Sequence, residues 1–356
     1  MRPRLVDWTL FALTAFIAGS GFASWLLLDP EAAPIIVIHA AAGVAILVPL
    51  FWKLRRVEPR VTHARAWDWK TPLSIGTALA ALGAVITGFV WVHAQWPTGY
   101  PNGMHLHIVF GLALCLLIAL HMLARLKLPA KRDLQGRRDL LRWLGMAGLG
   151  AVALPAQDVI NNSLNLPGAQ RRFTGSRNAG DFTGSAMSIT NWMFDHPAPV
   201  DPTTWRLRFT GAVDQPLTLR LDDLSSLLQA QGKPDDLTEI TATLDCTGGW
   251  HSTQRWRGVR VSDLLERAGV APDAQHISFI SITGYRWSLP IGEARDALLA
   301  THYGEEPLQH WHGAPLRLVA PGRRGFMWVK WVTEVRVLRE ADSGQWIVIF
   351  TSGLDD

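Results

Sequence analysis

Two sets of residues in this chain have the type and spacing to do chemistry. The first is one cysteine, Cys246, in the stretch TLDCTGGWHS (243–252). It is one of only two in 356 residues, and the other, Cys115, sits inside a long apolar run, so the two are not placed to form a bridge. A small buried packing residue is the ordinary reading of a lone cysteine. The sequel Thr-Gly-Gly-Trp favours another, because a glycine-rich turn leaves room beside the sulfur, as a thiolate holding a bulky metal cofactor needs.

The second set is histidine. An internal repeat aligns SGF (Ser20–Phe22) with TGF (Thr87–Phe89), and IHAAAGVAILVPLFWKL with LHIVFGLALCLLIALHML, so that His39 and Gly43 match His107 and Gly111. A single histidine on an apolar helix commonly makes only an interhelical hydrogen bond. Two neutral imidazoles at symmetry-related positions are the donor set for bis-histidine ligation of a b-type haem, and the paired glycines would admit a flat macrocycle. His121 lies fourteen residues beyond His107, about 21 Å deeper on nearly the same helix face. It points to a second haem, with His63 as the candidate partner because Lys53 takes the repeat-equivalent position. His93 and His105 fall at the outer boundary, where they are candidates to replace an outer ligand or to bind quinone.

These residues must be positioned by two different kinds of structure. Trp8–Leu28, Pro34–Trp52, Leu73–His93 and Met104–Leu123 are apolar runs long enough to span a bilayer, which takes about 20 residues, and Leu140–Leu154 is a shorter fifth. Lys53, Arg55, Arg56, Arg60 and Arg65 follow span two, and Arg125, Lys127, Lys131, Arg132, Arg137, Arg138 and Arg142 precede span five. LDPEAA and AQWPTGYPNG carry no Lys or Arg. The positive-inside rule therefore puts the basic segments in the cytoplasm and everything after residue 160 outside, in the periplasm of a bacterial inner membrane. GRRDLLRWLGMAGLGAVAL also resembles a twin-arginine export signal, the alternative being a basic flank on an ordinary span. The basic clusters, in a chain of net charge +4, are accounted for by topology, and no nucleic-acid motif occurs.

From Ser188 the pattern is α+β. Strands are expected at 205–213, 239–246, 276–282, 314–320 and 329–338, and helices at RVSDLLERAGV and IGEARDALLATHYG, ended by Gly269 and Gly304. The resulting division is 1–160 membrane bundle, 161–187 linker and 188–356 outer domain.

The first half resembles the transmembrane b-type cytochromes that exchange electrons with quinones, in helix pattern and histidine placement. In the second, TLDCTGGWHSTQRWRGVRVSDLLERAGV, GYRWSLPIGEARDALL and HGAPLRLVAPGRRGFMWVKWVTEVRV, in that order over about 188–340, resemble the catalytic domain of the sulfite oxidase superfamily, which includes bacterial periplasmic methionine sulfoxide reductases. The fold implied is an all-α transmembrane helical bundle, four helices of cytochrome b type plus a fifth span, followed by an α+β sulfite-oxidase-like molybdopterin domain. The resemblance makes Cys246 the molybdenum ligand and sets Asn191, Phe194, Asp195 and His196 of NWMFDHP against the pterin, with Ser281 beside the cofactor. His312 and Arg317 would bind the pterin or its phosphate, and Trp328, Val329 and Lys330 would complete the phosphate site, which suits cationic and backbone donors. The arginines that follow the cysteine in sulfite oxidases are missing. His251, Arg255, Tyr285, Arg323 and Arg324 are the candidate substitutes.

The function expected is exchange of electrons between the quinone pool, haem b (one or two) and a molybdenum–molybdopterin centre, with reduction of an S-oxide or N-oxide. The alternative is oxidation of sulfite or a similar small oxyanion. A redox-inactive sensory or binding module would lack molybdenum, and a ferric reductase with an accessory domain would survive loss of Cys246.

Overall fold

The computed structural model describes residues 3–26, 33–94, 102–125, 137–191, 194–230 and 238–354. Lys127, Lys131 and Arg132, and the loop residues 28–32 and 95–101, lie outside the described residues. The chain divides into two compact units, Met1–Arg177 and Asn178–Asp356. That division falls inside the stretch 161–187 expected as a linker.

The first unit is built of α1 (Pro3–Leu26), α2 (Ala33–Ala45), α3 (Leu47–Thr62), α4 (Thr71–His93), α5 (Gly103–Arg125) and α6 (Arg137–Ser163). Five segments are long and apolar enough to cross a membrane, with α2 and α3 together forming one of them. Pro49 explains the break between those two. It has no N–H to offer the carbonyl of Ala45, although Ile46 N–H still reaches Ala42 and Leu50 N–H reaches Ile46. The helix then runs on to Thr62, so Lys53, Arg55, Arg56 and Arg60 extend it rather than forming a loop. Phe16, Phe22, Leu79, Phe89, Val109, Leu112 and Leu116 are exposed on the helices. Apolar outer surface on this scale is what helices solvated by lipid present.

Residues after α6 are not a free tether. Trp91 Nε1 donates to the carbonyl of Gly175, and Leu166 N–H donates to that of Asn161. Gly168 packs so tightly that a Cβ there would come 1.9 Å from the carbonyl oxygen of Val92.

The second unit is α+β. Its first sheet contains β1 (Arg177–Asn178), β4 (Thr238–Asp245), β5 (Trp250–Arg260), β8 (Leu298–Tyr303), β9 (Glu306–Pro307) and β10 (Arg317–Val319). Along it the order is β1-β5-β8-β10, with β4 paired to β5 and β9 to β8. The other sheet has the order β3-β2-β11-β6-β7, from β2 (Leu207–Gly211), β3 (Leu217–Leu219), β6 (His276–Ser281), β7 (Arg286–Pro290) and β11 (Val332–Leu338). In it β11 runs parallel to β2 and antiparallel to β6. Helices α7 (Leu221–Ala230), α8 (Val261–Ala268), α9 (Ile291–Asp296) and α10 (Gln345–Thr351) complete the unit. Leu207, Phe209, Val259, Leu264, Ile277, Phe279 and Leu298 are fully buried in its core.

Gly269 ends α8 at φ 65°, as its sequence position implies. The expectation of one helix over IGEARDALLATHYG is corrected. It stops at Asp296, and Leu298–Tyr303 is a strand paired on one side with β5 and on the other with β10. Leu298, Leu299 and Ala300 are all fully buried. An apolar run enclosed on both faces of a sheet has no alternation to distinguish it from a buried helix.

Candidate functional site

Cys246 follows the end of β4, where the chain turns sharply back into β5. Gly249 N–H donates to the Cys246 carbonyl, and Cys246 N–H to that of Trp250, with Gly249 at φ 88° closing the turn. The thiol is buried and accepts from Gly248 N–H at 3.3 Å. Burial pushes its pKa up, while the Gly248 N–H, the Thr190 hydroxyl and the charges of Arg324 and Lys330 pull it down. Gly325 is required beside it, since a Cβ there would lie 3.1 Å from Cys246 Cα.

The sulfur borders a pocket of about 290 Å³, open mouth included, whose wall includes Thr190, Trp250, His312, Arg317, Gly325 and Lys330. Arg317, on β10, is buried with its guanidinium 5.0 Å from the Trp256 ring and 6.0 Å from that of Trp328, and it donates to the His312 carbonyl at 2.8 Å. Lys330 donates to Asn191 Oδ1 and to the carbonyls of Thr190 and Trp311. Neither cation is ion-paired within 4 Å to a carboxylate among the described residues, although Asp195 lies close enough to Lys330 to act on its charge. Desolvation consequently pushes Arg317 down to about 9 and Lys330 down to about 7. His312, buried and near both, is pushed to about 4, and its Nδ1 has no hydrogen-bond partner. The Cys246 sulfur, and for Lys330 also Asp195, offset only part of that cost, and two desolvated cations side by side favour an anion that completes the site.

The sign of the resulting pH dependence follows. Between about pH 7 and the ordinary lysine range near pH 10, the unfolded chain holds the Lys330 proton more tightly than the folded one. Cofactor-free protein is therefore expected to gain thermal stability as pH rises through that window, and Lys330→Met to flatten the gain. An unchanged slope in the variant would assign the effect to other groups.

The remaining sequence candidates divide. Asn191 is tied to Lys330. Asp195 is buried, His196 stacks edge-on to Trp311, and Phe194 is exposed, with its carbonyl packed against Gly353, where a Cβ would come 2.1 Å from the oxygen. Ser281 is buried and accepts from Thr283. Trp328 donates to the Arg323 carbonyl, and Val329 gives its own carbonyl to Leu318. Two candidate substrate groups are committed elsewhere and a third is exposed. Tyr285 donates to the Phe326 carbonyl at 2.6 Å, and burial raises its pKa. Arg323 pairs with Glu293, and Arg255 is exposed on β5. Arg324 instead forms a buried pair with Asp245 at 2.6 Å, directly behind the cysteine. His251 is buried on β5, in register with Asp245.

In the first unit the two repeat histidines meet, their ring centroids 6.1 Å apart and their planes at 87°. His39 Nδ1 lies 3.0 Å from the Ile17 carbonyl and His107 Nδ1 2.8 Å from that of Ala84. Both carbonyls also accept from the repeat-related hydroxyls of Ser20 and Thr87. Since a carbonyl can only accept, each Nδ1 carries the proton and each Nε2 keeps a free lone pair. Gly21 and Gly88 admit the rings, for a Cβ at either would sit 3.0 Å from Cε1 of the facing histidine. One turn deeper, a Cβ at Gly43 or Gly111 would meet nothing within 4 Å.

His63 and His121 are not brought together. His63 is exposed and bonded to the Pro59 carbonyl, while His121 lies 3.4 Å from Ser74 Oγ. Lys53, the repeat counterpart of His121, is paired with Asp7 at 2.7 Å. Thr190 and the Asp245–Arg324 pair escaped sequence reasoning. Only the nearness of Asp245 to Cys246 could have hinted at the pair.

Comparison with known proteins adds the following. Residues 194–346 match the family model for the oxidoreductase molybdopterin binding domain. The chain is similar to the uncharacterized oxidoreductase YuiH of Bacillus subtilis (strain 168), with 32% identity over 155 residues covering 43% of this chain and 74% of that protein. It is similar to the protein-methionine-sulfoxide reductase catalytic subunit MsrP of Gluconobacter oxydans (strain 621H), with 30% identity over 237 residues covering 59% and 72%. With mitochondrial sulfite oxidase of Macaca fascicularis it shares 34% over 183 residues, 42% of this chain but only 32% of the relative.

Proposed function

The chain belongs to the family of oxidoreductases built on a molybdopterin binding domain, and we propose that it is a membrane-anchored member that draws electrons from quinol and reduces an S-oxide or N-oxide. The observation that carries this reading is the pair of pocket cations, Arg317 and Lys330, set beside the Cys246 thiol and not ion-paired to a carboxylate among the described residues. That donor set fits an anionic pterin with a thiolate-held metal. Cys246 would hold molybdenum, Arg317, Lys330 and His312 the phosphate-bearing tail, and Asn191, Asp195, His196, Ser281, Trp328 and Val329 the pterin. When bound, that group supplies oxygen-atom transfer.

The chain's own residues set the rest. Arg324 and Asp245 neutralise each other behind Cys246, which fixes the turn without adding net charge to the pocket. With Arg323 on Glu293, Tyr285 on the Phe326 carbonyl and Arg317 assigned to the phosphate-bearing tail, no further arginine among the described residues lines the pocket to hold a sulfite dianion. A neutral S-oxide or N-oxide needs none. His39 and His107 would hold one haem b through their Nε2 atoms, with the open sides of Gly43 and Gly111 facing it. The Lys53–Asp7 pair stands where a second ligand would be needed, which favours one haem over two. Five apolar helices compatible with membrane spans support a bacterial inner-membrane location, with the oxidoreductase domain on the periplasmic side.

Anaerobic sulfite is expected to leave the air-oxidised haem spectrum unchanged. Protein reduced with dithionite is expected to be reoxidised by methionine sulfoxide or a tertiary amine N-oxide. Reduced low-spin haem bands on adding sulfite would reverse the direction and make the protein a sulfite dehydrogenase.

A further inference from the structure

At the last turn of α4 another histidine is held in the same sense as the repeat pair, through its Nδ1. His93 Nδ1 lies 2.8 Å from Asn161 Oδ1 on α6. The amide nitrogen of Asn161 faces the Val92 carbonyl at 3.4 Å, which turns its oxygen toward the ring. An amide oxygen can only accept, so Nδ1 carries the proton and Nε2 is a bare acceptor. That Nε2 is buried and has no hydrogen-bond partner among the described residues. Leaving such an atom unmatched costs more than most hydrogen bonds contribute, so it invites a donor from outside the protein.

The surroundings define the donor. Phe89 packs 4.4 Å from the His93 ring, tilted 49° to it, and is itself exposed on the apolar surface of the helix. Arg177 lies 4.9 Å over the Trp91 ring and donates to the Trp91 carbonyl, with its own Nε unmatched. Gly168, packed against Val92 and Asn161, fixes the amide that orients the histidine. His93 is nine residues beyond Ala84, whose carbonyl holds His107, so it stands about 14 Å farther along the helix axis.

We propose that His93, with Phe89 and Asn161, forms the binding site for the headgroup of a membrane-soluble hydroquinone, whose hydroxyl donates to His93 Nε2. The ligand has to be apolar enough to reach the end of a spanning helix, flat enough to lie against two rings, and a hydroxyl donor. A hydroquinone is all three. The inference rests on the reading of the chain as quinol-linked, and it supplies that reading with an entry point. In oxidation both O–H bonds break. One proton passes to His93 Nε2 and one to water at the same end of the bundle, and the two electrons leave singly to the ferric haem assigned to His39 and His107. A single haem takes one electron at a time, so the hydroquinone becomes quinone as the ferric haems of two protein molecules, or one haem reoxidised between the two transfers, become ferrous.

The test uses the full-length holoprotein in detergent and a ubiquinone with one isoprene unit, its binding measured by equilibrium dialysis. His93→Phe is expected to weaken binding about tenfold or more, the cost of one hydrogen bond to a buried group, and to slow haem reduction by the matching ubiquinol in proportion, with the haem spectrum unchanged. Wild-type affinity in His93→Phe overturns the site while leaving the quinol-linked reading intact. If ubiquinol does not reduce the haem of the wild-type protein, that reading and the site fall together. Should His93→Phe lose haem, the affinity of His93→Met decides in its place.

Discussion

Cys246→Ser is expected to abolish reduction of S-oxide and N-oxide by the dye-driven enzyme and to deplete molybdenum, while the haem spectrum stays that of the wild type. The argument is one of position. The thiol borders the pocket that Arg317 and Lys330 line, it is turned there by the Gly248–Gly249 bend, and Gly325 keeps the wall behind it thin. Losing a residue that only supports a metal ligand typically costs about 10- to 100-fold. Loss of the ligand itself should exceed that. A cysteine that served only for packing would behave differently, for a serine in its place would cost about 1 kcal/mol of stability and leave turnover in place. Metal analysis and turnover on the same preparation separate the two. A fully active Cys246→Ser protein would remove the basis for the molybdenum assignment.

His107→Leu is expected to remove the low-spin haem bands and to reduce quinol-driven turnover to background, again by more than about 100-fold, without affecting turnover driven by a reduced dye that reaches the outer domain directly. His39→Leu should match it, because the two rings are held by equivalent means: a carbonyl at Nδ1, a hydroxyl on that carbonyl and a glycine under the ring. Gly88→Leu is the complementary variant. Its side chain would occupy the space of His107 Cε1, so haem loss there would show that ring placement, and not only ring identity, is required. Haem content unchanged in both histidine variants would return His39 and His107 to a packing role.

The repeat was the most legible feature of the first unit. Matching SGF to TGF and His39 to His107 needed only the sequence, but the roles of Gly21 and Gly88 did not, because a glycine's value lies in what approaches it. Likewise Cys246, Arg317 and Lys330 could be picked out as a set, and they do share a pocket. Arg323 and Arg324 stand together in the sequence as candidate substrate residues. One residue of register decides between them: Arg324 turns inward to Asp245, whereas Arg323 turns out to Glu293. The helix read through to Gly304 failed because Leu298–Tyr303 is enclosed on both sides, and β5 was missed where its start coincides with the Gly-Gly-Trp turn. In each case the deciding contact is a pairing between distant segments, which no local pattern records.

The close seat of Phe194 against Gly353 sets an order of events in biosynthesis. The segment containing Asn191, Asp195 and His196 cannot reach its final packing until the ribosome has added Gly353, 159 residues after Phe194. At about 5–20 residues per second that is a delay of roughly 8 to 32 s. Only over the last 36 residues of that interval does the half-made pocket have both Cys246 and Arg317, still without its completed wall. Retention of the pterin is thus expected only once Gly353 has been added, and ribosome-arrested chains stopped before Gly353 should fail to retain it.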